Sequence, residues 1–392
     1  MSSTAKQVSN PYYAYGVLYL SAQFHEWERS KGADFRQYRQ AWVKRSAALD
    51  CGDFPLNLNV EATTRCNLIC TFCTHSSLLE EEKRDMPWEL YARVIDEAEQ
   101  YGTPAVNLNG LGEPMLMRNV PEMVAYAKAH GFVDVMFHTN GTIMPDAIAR
   151  ALIAAGLDRI IFSVDSPDKT TYEAMRINAH WDRVTDNVKE FVDIRNEMGR
   201  SVPIVRTTMV LTEKTVGQVD AFVDLWKPVV DQITLQDLMW RTKPLKSGQW
   251  TNQEKTPVPI ALDTIRDEAI RREVSFACPY LYQSTYVHGN GNIVPCSNPN
   301  ARKNMVMGNL NGTDTLHDVW TGPAYTELRA LHEAGKWHEH PVCRDCEVPL
   351  IELCKVLYEE PAVASQLGAK GGDTDDLAMQ FLHESGKAKG SE

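Results

Sequence analysis

Residues 56–75 read LNLNVEATTRCNLICTFCTH, a short β-prone run that leads directly into three closely spaced cysteines. The first eight residues alternate apolar and polar side chains, as a strand does when one of its faces is buried. The loop after it sets Cys66, Cys70 and Cys73 in a C-x3-C-x2-C arrangement. Soft thiolates this close can converge on one metal centre, either zinc or iron–sulfur. Three ligands leave one iron of a four-iron cluster open to a further ligand, whereas a structural zinc site is closed by four. His75 could complete a zinc set, so on this motif alone both metals stand.

Working outward, five further β-prone runs follow at 105–110 (AVNLNG), 133–139 (VDVMFHT), 159–165 (RIIFSVD), 204–211 (IVRTTMVL) and 232–238 (QITLQDL). Helix-like stretches separate them. One is MPWELYARVIDEAEQYG, opened by Pro87 and closed by Gly102; another is NVPEMVAYAKAHG, with Pro121 near its start and Gly131 after its end. Six strand–helix units predict a parallel α/β sheet with helices packed outside it, as a barrel or an open doubly wound sheet. In either, chemistry belongs beyond the carboxyl ends of the strands.

The rest of the chain divides into a helical N-terminal extension (1–52), the strand–helix core (53–240), a polar connector (241–275), a second cysteine-bearing block (276–358) and a Gly-rich flexible tail (359–392). In the extension Phe24, Trp27, Phe35, Tyr38 and Trp42 recur at helical spacing, which is read as packing. The 392 residues carry a formal charge of -12, which argues against a broad nucleic-acid surface. No apolar run nears the ~20 residues that span a bilayer, and MSSTAKQVSNPYYAYG lacks the pattern of an export signal. A cytoplasmic, reducing location is expected, where the nine cysteines are thiols or metal ligands. Cys51 stands apart from both clusters and is read as a free thiol.

The cysteine loop resembles that of the radical S-adenosylmethionine (SAM) superfamily, whose motif has this spacing with an aromatic residue, here Phe72, before the last cysteine. NGLGEP at 109–114 resembles the family's Gly-Gly-Glu-Pro motif, with Leu111 interrupting the glycine pair. The resemblance implies a partial (β/α)6 TIM-type barrel and a [4Fe-4S] cluster on Cys66, Cys70 and Cys73 that binds SAM. Phe72 would lie near the adenine, and Gly110, Gly112, Glu113 and Pro114 would form the loop that receives the SAM ammonium. Ser163 and Asp165 correspond to residues that contact the ribose or carboxylate, although a helix cap before Pro167 explains them equally well. His138 and Asn140 are candidate pocket residues, while Asn140-Gly141 also makes a good turn by itself.

Cys278 and Cys296, separated by seventeen residues, and then PVCRDCE with Cys343 and Cys346 give the second block a pattern that resembles the SPASM domain and its shortened "twitch" form, which hold auxiliary iron–sulfur clusters. A complete SPASM domain has seven cysteines. Here there are five, and Glu352 stands where another cysteine is expected. One auxiliary [4Fe-4S] cluster on Cys278, Cys296, Cys343 and Cys346 is therefore expected, with Cys354 an alternative ligand and zinc the competing metal.

The implied chemistry is SAM cleavage to a 5'-deoxyadenosyl radical, followed by hydrogen abstraction from a small substrate. The cysteine spacing is similar to that of 2-deoxy-scyllo-inosamine dehydrogenase, which favours oxidation of a sugar, cyclitol or aminoglycoside alcohol. Epimerisation and dehydration are neighbouring outcomes. Peptide modification of the maturase type is the enzymatic rival, and a non-catalytic iron–sulfur or zinc protein the rival of another class. Arg206, Gln236, Asp237, Arg241 and Lys243 are candidates for substrate handling. A flavodoxin or ferredoxin is the expected electron donor, with neither nucleic acid nor membrane as partner.

Overall fold

The computed structural model describes residues 15–238 and 276–346, together with 266, 267, 270, 271 and 348. Arg241, Lys243, Cys354, most of the connector and the whole tail fall outside the described residues. In chain order the strands begin with β1 (Tyr15–Leu20), β2 (Asn57–Val60), β3 (Ile69–Cys70), β4 (Ala105–Asn107), β5 (Asp134–Thr139) and β6 (Arg159–Ser163). They continue with β7 (Arg176–Ile177), β8 (Ile204–Leu211), β9 (Gln232–Asp237), β10 (Ser284–Val287), β11 (Asn292–Val294) and β12 (Gly308–Asn309).

The main sheet has the order β1-β9-β8-β6-β5-β4-β2-β10-β11-β12. From β2 to β9 the six strands are parallel and follow one another in chain order. A doubly wound sheet reverses its strand order at a switch point; this one does not, which is the arrangement of a partial barrel. All six β-prone runs of the core appear as strands, each starting within one residue of its sequence-based bound.

Alternation along the strands decides what each face of the sheet carries. Leu58, Val60, Val106, Val135, Phe137, Ile160, Phe162, Val205, Met209, Ile233 and Leu235 are buried in one apolar core with the helices. The other face carries Asn59, Asn107, His138, Arg206, Thr208 and Thr234. In register across neighbouring strands, His138 stands beside Ile161, Ile161 beside Arg206, and Arg206 beside Gln232. The barrel therefore has a polar concave face, unlike the apolar layers that fill a complete eight-stranded barrel.

The N-terminal helices Ala22–Ser30 and Ala33–Ala48 close one end of the barrel. Trp27, Phe35, Tyr38 and Trp42 cluster with Leu56, Ala105 and Ile204, which lie at the beginnings of strands. That covers the amino ends and leaves the carboxyl ends for chemistry. The extension is not wholly helical. Tyr15–Leu20 forms β1, antiparallel to β9, which corrects the expectation of helix throughout. Its YGVLYL run shows no clean two-residue alternation, and the partner that fixes it lies more than two hundred residues away in sequence.

On the opposite edge, β10 pairs in parallel with β2 over Ser284–Val287 and Asn57–Val60. The second cysteine block thus continues the sheet of the core. Contacts reinforce the join: the Glu97 carboxylate accepts the backbone N–H groups of Leu316 (2.9 Å) and His317 (2.8 Å).

Candidate active site

The cysteine loop leaves the carboxyl end of β2 and is anchored by β3, which pairs antiparallel with β7 so that Cys70 stands opposite Arg176. The Thr71 N–H also donates to the Met175 carbonyl at 2.9 Å. Burial pushes the Cys70 thiol up to about 12, with Arg176 opposing the shift. Cys66 and Cys73 are raised for the same first reason. Thiols in so dry a place stay protonated until a cation takes the proton's place, as metal loading does.

Among the described residues no three His, Cys, Asp or Glu side chains are gathered tightly enough to share one metal ion. The candidate fourth zinc ligand, His75, is buried and engages the Thr64 carbonyl through Nε2 at 2.8 Å. Three half-buried thiols in one loop therefore suit a cluster with one open iron.

Glu113 lies against this loop. Its backbone N–H donates to the Arg65 carbonyl (2.8 Å). Its Oε1 accepts from Met115 N (3.0 Å) and Thr139 Oγ1 (2.8 Å), and its Oε2 accepts from Asn140 N (2.6 Å). A carboxylate offers about four acceptor positions, so these donors leave room for one more. Burial raises its pKa, opposed chiefly by the Asn140 and Met115 amides. Gly112 is required by contact: a Cβ there would lie 2.3 Å from the Thr63 carbonyl oxygen. At Gly110 it would meet Glu61 Cγ at 2.3 Å.

Other sequence-predicted residues prove to have internal partners. Asn140 donates to Asn67 Oδ1 (2.9 Å), approaches Cys66 Sγ (4.0 Å) and accepts from the Thr142 N–H and hydroxyl. It therefore shapes the wall beside Cys66. Asp165 is fully buried, accepting from Arg176 Nε (2.5 Å) and Val210 N (3.0 Å). It does not cap the next helix, whose cap is Asp168. Ser163 ends β6 half-buried. Phe72 packs under the Arg176 guanidinium at 5.5 Å.

On the concave face, burial together with Arg206 and Arg159 holds His138 down to about 3, so it is neutral. Arg206 is buried on β8 and Gln236 half-buried on β9, and Asp237 ends that strand. Asn107 Oδ1, Thr208 Oγ1 and Thr234 Oγ1 are buried without a hydrogen-bond partner among the described residues.

Two features were not read from the sequence. Arg176 touches Cys70 Sγ at 3.9 Å while gripping Asp165, a placement created by the two-residue β3–β7 pairing, for which no motif exists. Glu61 is buried and bound by Arg302 through both guanidinium ends (2.6 and 3.0 Å). It also accepts, at longer range, from Leu111 N and Gly289 N (both 3.4 Å). Glu61 simply continues the polar positions Asn57 and Asn59 of the alternation, so its pattern gave no signal of the role.

In the second block Cys278, Cys296, Cys343 and Cys346 come together. Burial raises Cys278 first, then the charges of Cys296 and Cys346; burial likewise leads for Cys343, followed by Cys296, Cys278 and Cys346. Cys51 is half-buried and belongs to neither group.

Comparison with known proteins gives two family matches, the radical SAM superfamily over residues 60–225 and an iron–sulfur cluster-binding SPASM domain over residues 278–347. The tungsten-containing aldehyde ferredoxin oxidoreductase cofactor-modifying protein of Pyrococcus furiosus is 25% identical over 319 residues, covering 74% of this chain and 87% of its own. A GTP 3',8-cyclase of Syntrophomonas wolfei is 37% identical over 131 residues, covering 30% of this chain and 37% of its own. Among solved structures, SuiB of Streptococcus suis bound to S-adenosylmethionine has a TM-score of 0.58 at 18% identity, covering 80% of this chain and 78% of that one. At that identity the likeness is one of fold.

Proposed function

This chain is a radical SAM superfamily enzyme with a C-terminal iron–sulfur cluster-binding domain, and on that premise we propose that it oxidises a hydroxyl-bearing small molecule held against the concave face of its barrel. When bound, the SAM cluster supplies a 5'-deoxyadenosyl radical able to take a hydrogen atom from carbon. Cys66, Cys70 and Cys73 hold that cluster. The loop Gly110–Pro114 receives the SAM ammonium, with Glu113 using its remaining acceptor position. Arg176 steadies Cys70 and balances the charge that the thiolate carries.

The observation that carries the reading is the polarity of the concave face. Its amides, hydroxyls, neutral imidazole and guanidinium suit a polyol, and Asn107, Thr208 and Thr234 keep buried polar atoms without partners among the described residues. Polar groups so placed cost free energy unless a ligand or solvent pairs with them. Neutral His138 can accept a hydrogen bond from a substrate hydroxyl. Gln236, on the same face as Thr234 at the carboxyl end of β9, is a candidate to orient the substrate.

The electron balance favours oxidation. An alcohol becoming a ketone gives up one hydrogen atom, one proton and one further electron, and Cys278, Cys296, Cys343 and Cys346 hold a second cluster to accept that electron. The P. furiosus relative, described as cofactor-modifying, suits a small substrate as well.

The test uses anaerobically reconstituted enzyme with SAM, dithionite and a panel of sugars and cyclitols deuterated at carbinol carbon. Deuterium in 5'-deoxyadenosine and a ketone two mass units below the undeuterated alcohol are expected. Deuterium transfer with an alcohol product one mass unit below the deuterated substrate, its deuterium replaced by hydrogen, would replace oxidation by epimerisation. No transfer from any alcohol, with transfer from a peptide, would give the site to peptide modification.

A further inference from the structure

His332 lies inside the second cysteine group without being a cysteine. It is carried by the helix Pro323–Glu333 and is 1% exposed. Its Nε2 stands 3.5 Å from Cys343 Sγ, and the backbone N–H of Cys278 donates to its Nδ1 at 3.3 Å. The two contacts place one imidazole between two of the four cysteines. Phe276, two residues before Cys278, packs edge-on against the same ring at 6.3 Å.

The Cys278 amide, a fixed donor, selects one tautomer of the ring. Nδ1 receives the Cys278 N–H, so it acts as the acceptor and Nε2 carries hydrogen in the neutral ring. The sulfur imposes the same answer independently. A cysteine that ligates iron is a thiolate and has no proton to give, so an unprotonated Nε2 would set a lone pair against a negative sulfur. The Phe276 carbonyl also acts on the ring.

We propose that His332 is a positioning residue for the auxiliary cluster, donating an Nε2–H···S hydrogen bond to Cys343 and raising that cluster's reduction potential. The inference rests on the proposed role of this cluster as electron acceptor and deepens it. Adding one electron, taken from the substrate in that reading, increases the negative charge on the Cys343 sulfur. A fixed N–H donor aimed at that sulfur therefore favours the reduced state. In a buried site such a bond is screened little by solvent.

The test is a redox titration of the full-length reconstituted enzyme followed by electron paramagnetic resonance. The auxiliary signal is identified as the one that added SAM leaves unshifted. His332→Phe keeps a flat ring and removes the donor. Its reduced-to-oxidised ratio at fixed poise is expected to fall about tenfold, or 59 mV for one electron. His332→Gln, which retains an N–H donor, is expected to stay within about threefold of wild type. Iron content should be unchanged in both variants. An unmoved potential in His332→Phe would reduce the residue to packing, and loss of auxiliary iron would make it a ligand; either result overturns the proposal.

Wild-type enzyme containing 15N-histidine gives the same answer if His332→Phe does not fold. Weak coupling of an imidazole nitrogen to the reduced auxiliary cluster is expected, whereas no coupling or the strong coupling of a direct ligand overturns the proposal. Absence of any second cluster signal in wild type would instead remove the acceptor reading on which the inference rests.

Discussion

A methyl group at Gly112 would sit 2.3 Å from the Thr63 carbonyl oxygen and 2.6 Å from that of Arg65. Both neighbours are backbone, so neither can swing aside. Gly112→Ala must part the Glu113 loop from the strand end that feeds the cysteines, at a cost of about 1–3 kcal/mol for such overpacking. SAM affinity measured by equilibrium dialysis on reconstituted protein is expected to weaken about tenfold or more, with iron content retained. Gly217→Ala, where nothing lies within 4 Å, should leave affinity unchanged. Unaltered affinity in Gly112→Ala would detach this loop from the SAM site. At this scale motifs were legible where neighbours in sequence are neighbours in space: Cys66, Cys70 and Cys73 share a loop, and Gly112 and Glu113 stand together. Asp165 was legible only as a polar residue at a strand end. Its partner Arg176 comes from another segment, and their bond, which anchors the arginine beside Cys70, has no signature in sequence.

Between elements, the most exposed dependence is the helix Leu316–Thr321 on Glu97. The first N–H groups of a helix have no partner within it. Here Leu316 and His317 give theirs to a carboxylate from the helix Trp88–Gln100 of the core, where the negative charge also meets the helix dipole. Glu97→Ala is expected to cost about 1 kcal/mol, the usual value of a lost cap. Amide hydrogen exchange at Leu316 and His317 should accelerate roughly fivefold, while exchange in β5 and β6 stays put. Equal acceleration throughout would mean global destabilisation instead. The six core strands were legible because each alternates or forms an apolar run between helix signals. The strand Tyr15–Leu20 and the pairs β3–β7 and β2–β10 were not, since each is defined by a distant partner rather than by its own pattern.

For the whole molecule, one sheet serves two clusters. Its parallel strands present an apolar face to the helices and a polar face to the lumen, and β2, the first strand of the barrel, pairs on its other side with β10 of the auxiliary domain. The Glu61–Arg302 pair fastens the end of β2 to the segment that follows Cys296, while Glu61 also reaches the Gly-rich loop through Leu111. The polar lumen could be foreseen from the asparagines of LNLN and NLNG, but the closure of the amino end by aromatic helices could not. Helical periodicity shows which residues cluster, not what they cover. Two separate sets of cysteines are expected to hold two clusters, which iron and inorganic sulfide per chain will test. Anaerobically reconstituted wild type should hold about eight irons, and the triple variant Cys66→Ala, Cys70→Ala, Cys73→Ala about four. About four irons in wild type, lost entirely in the triple variant, would leave no second cluster to accept an electron and would contradict the account.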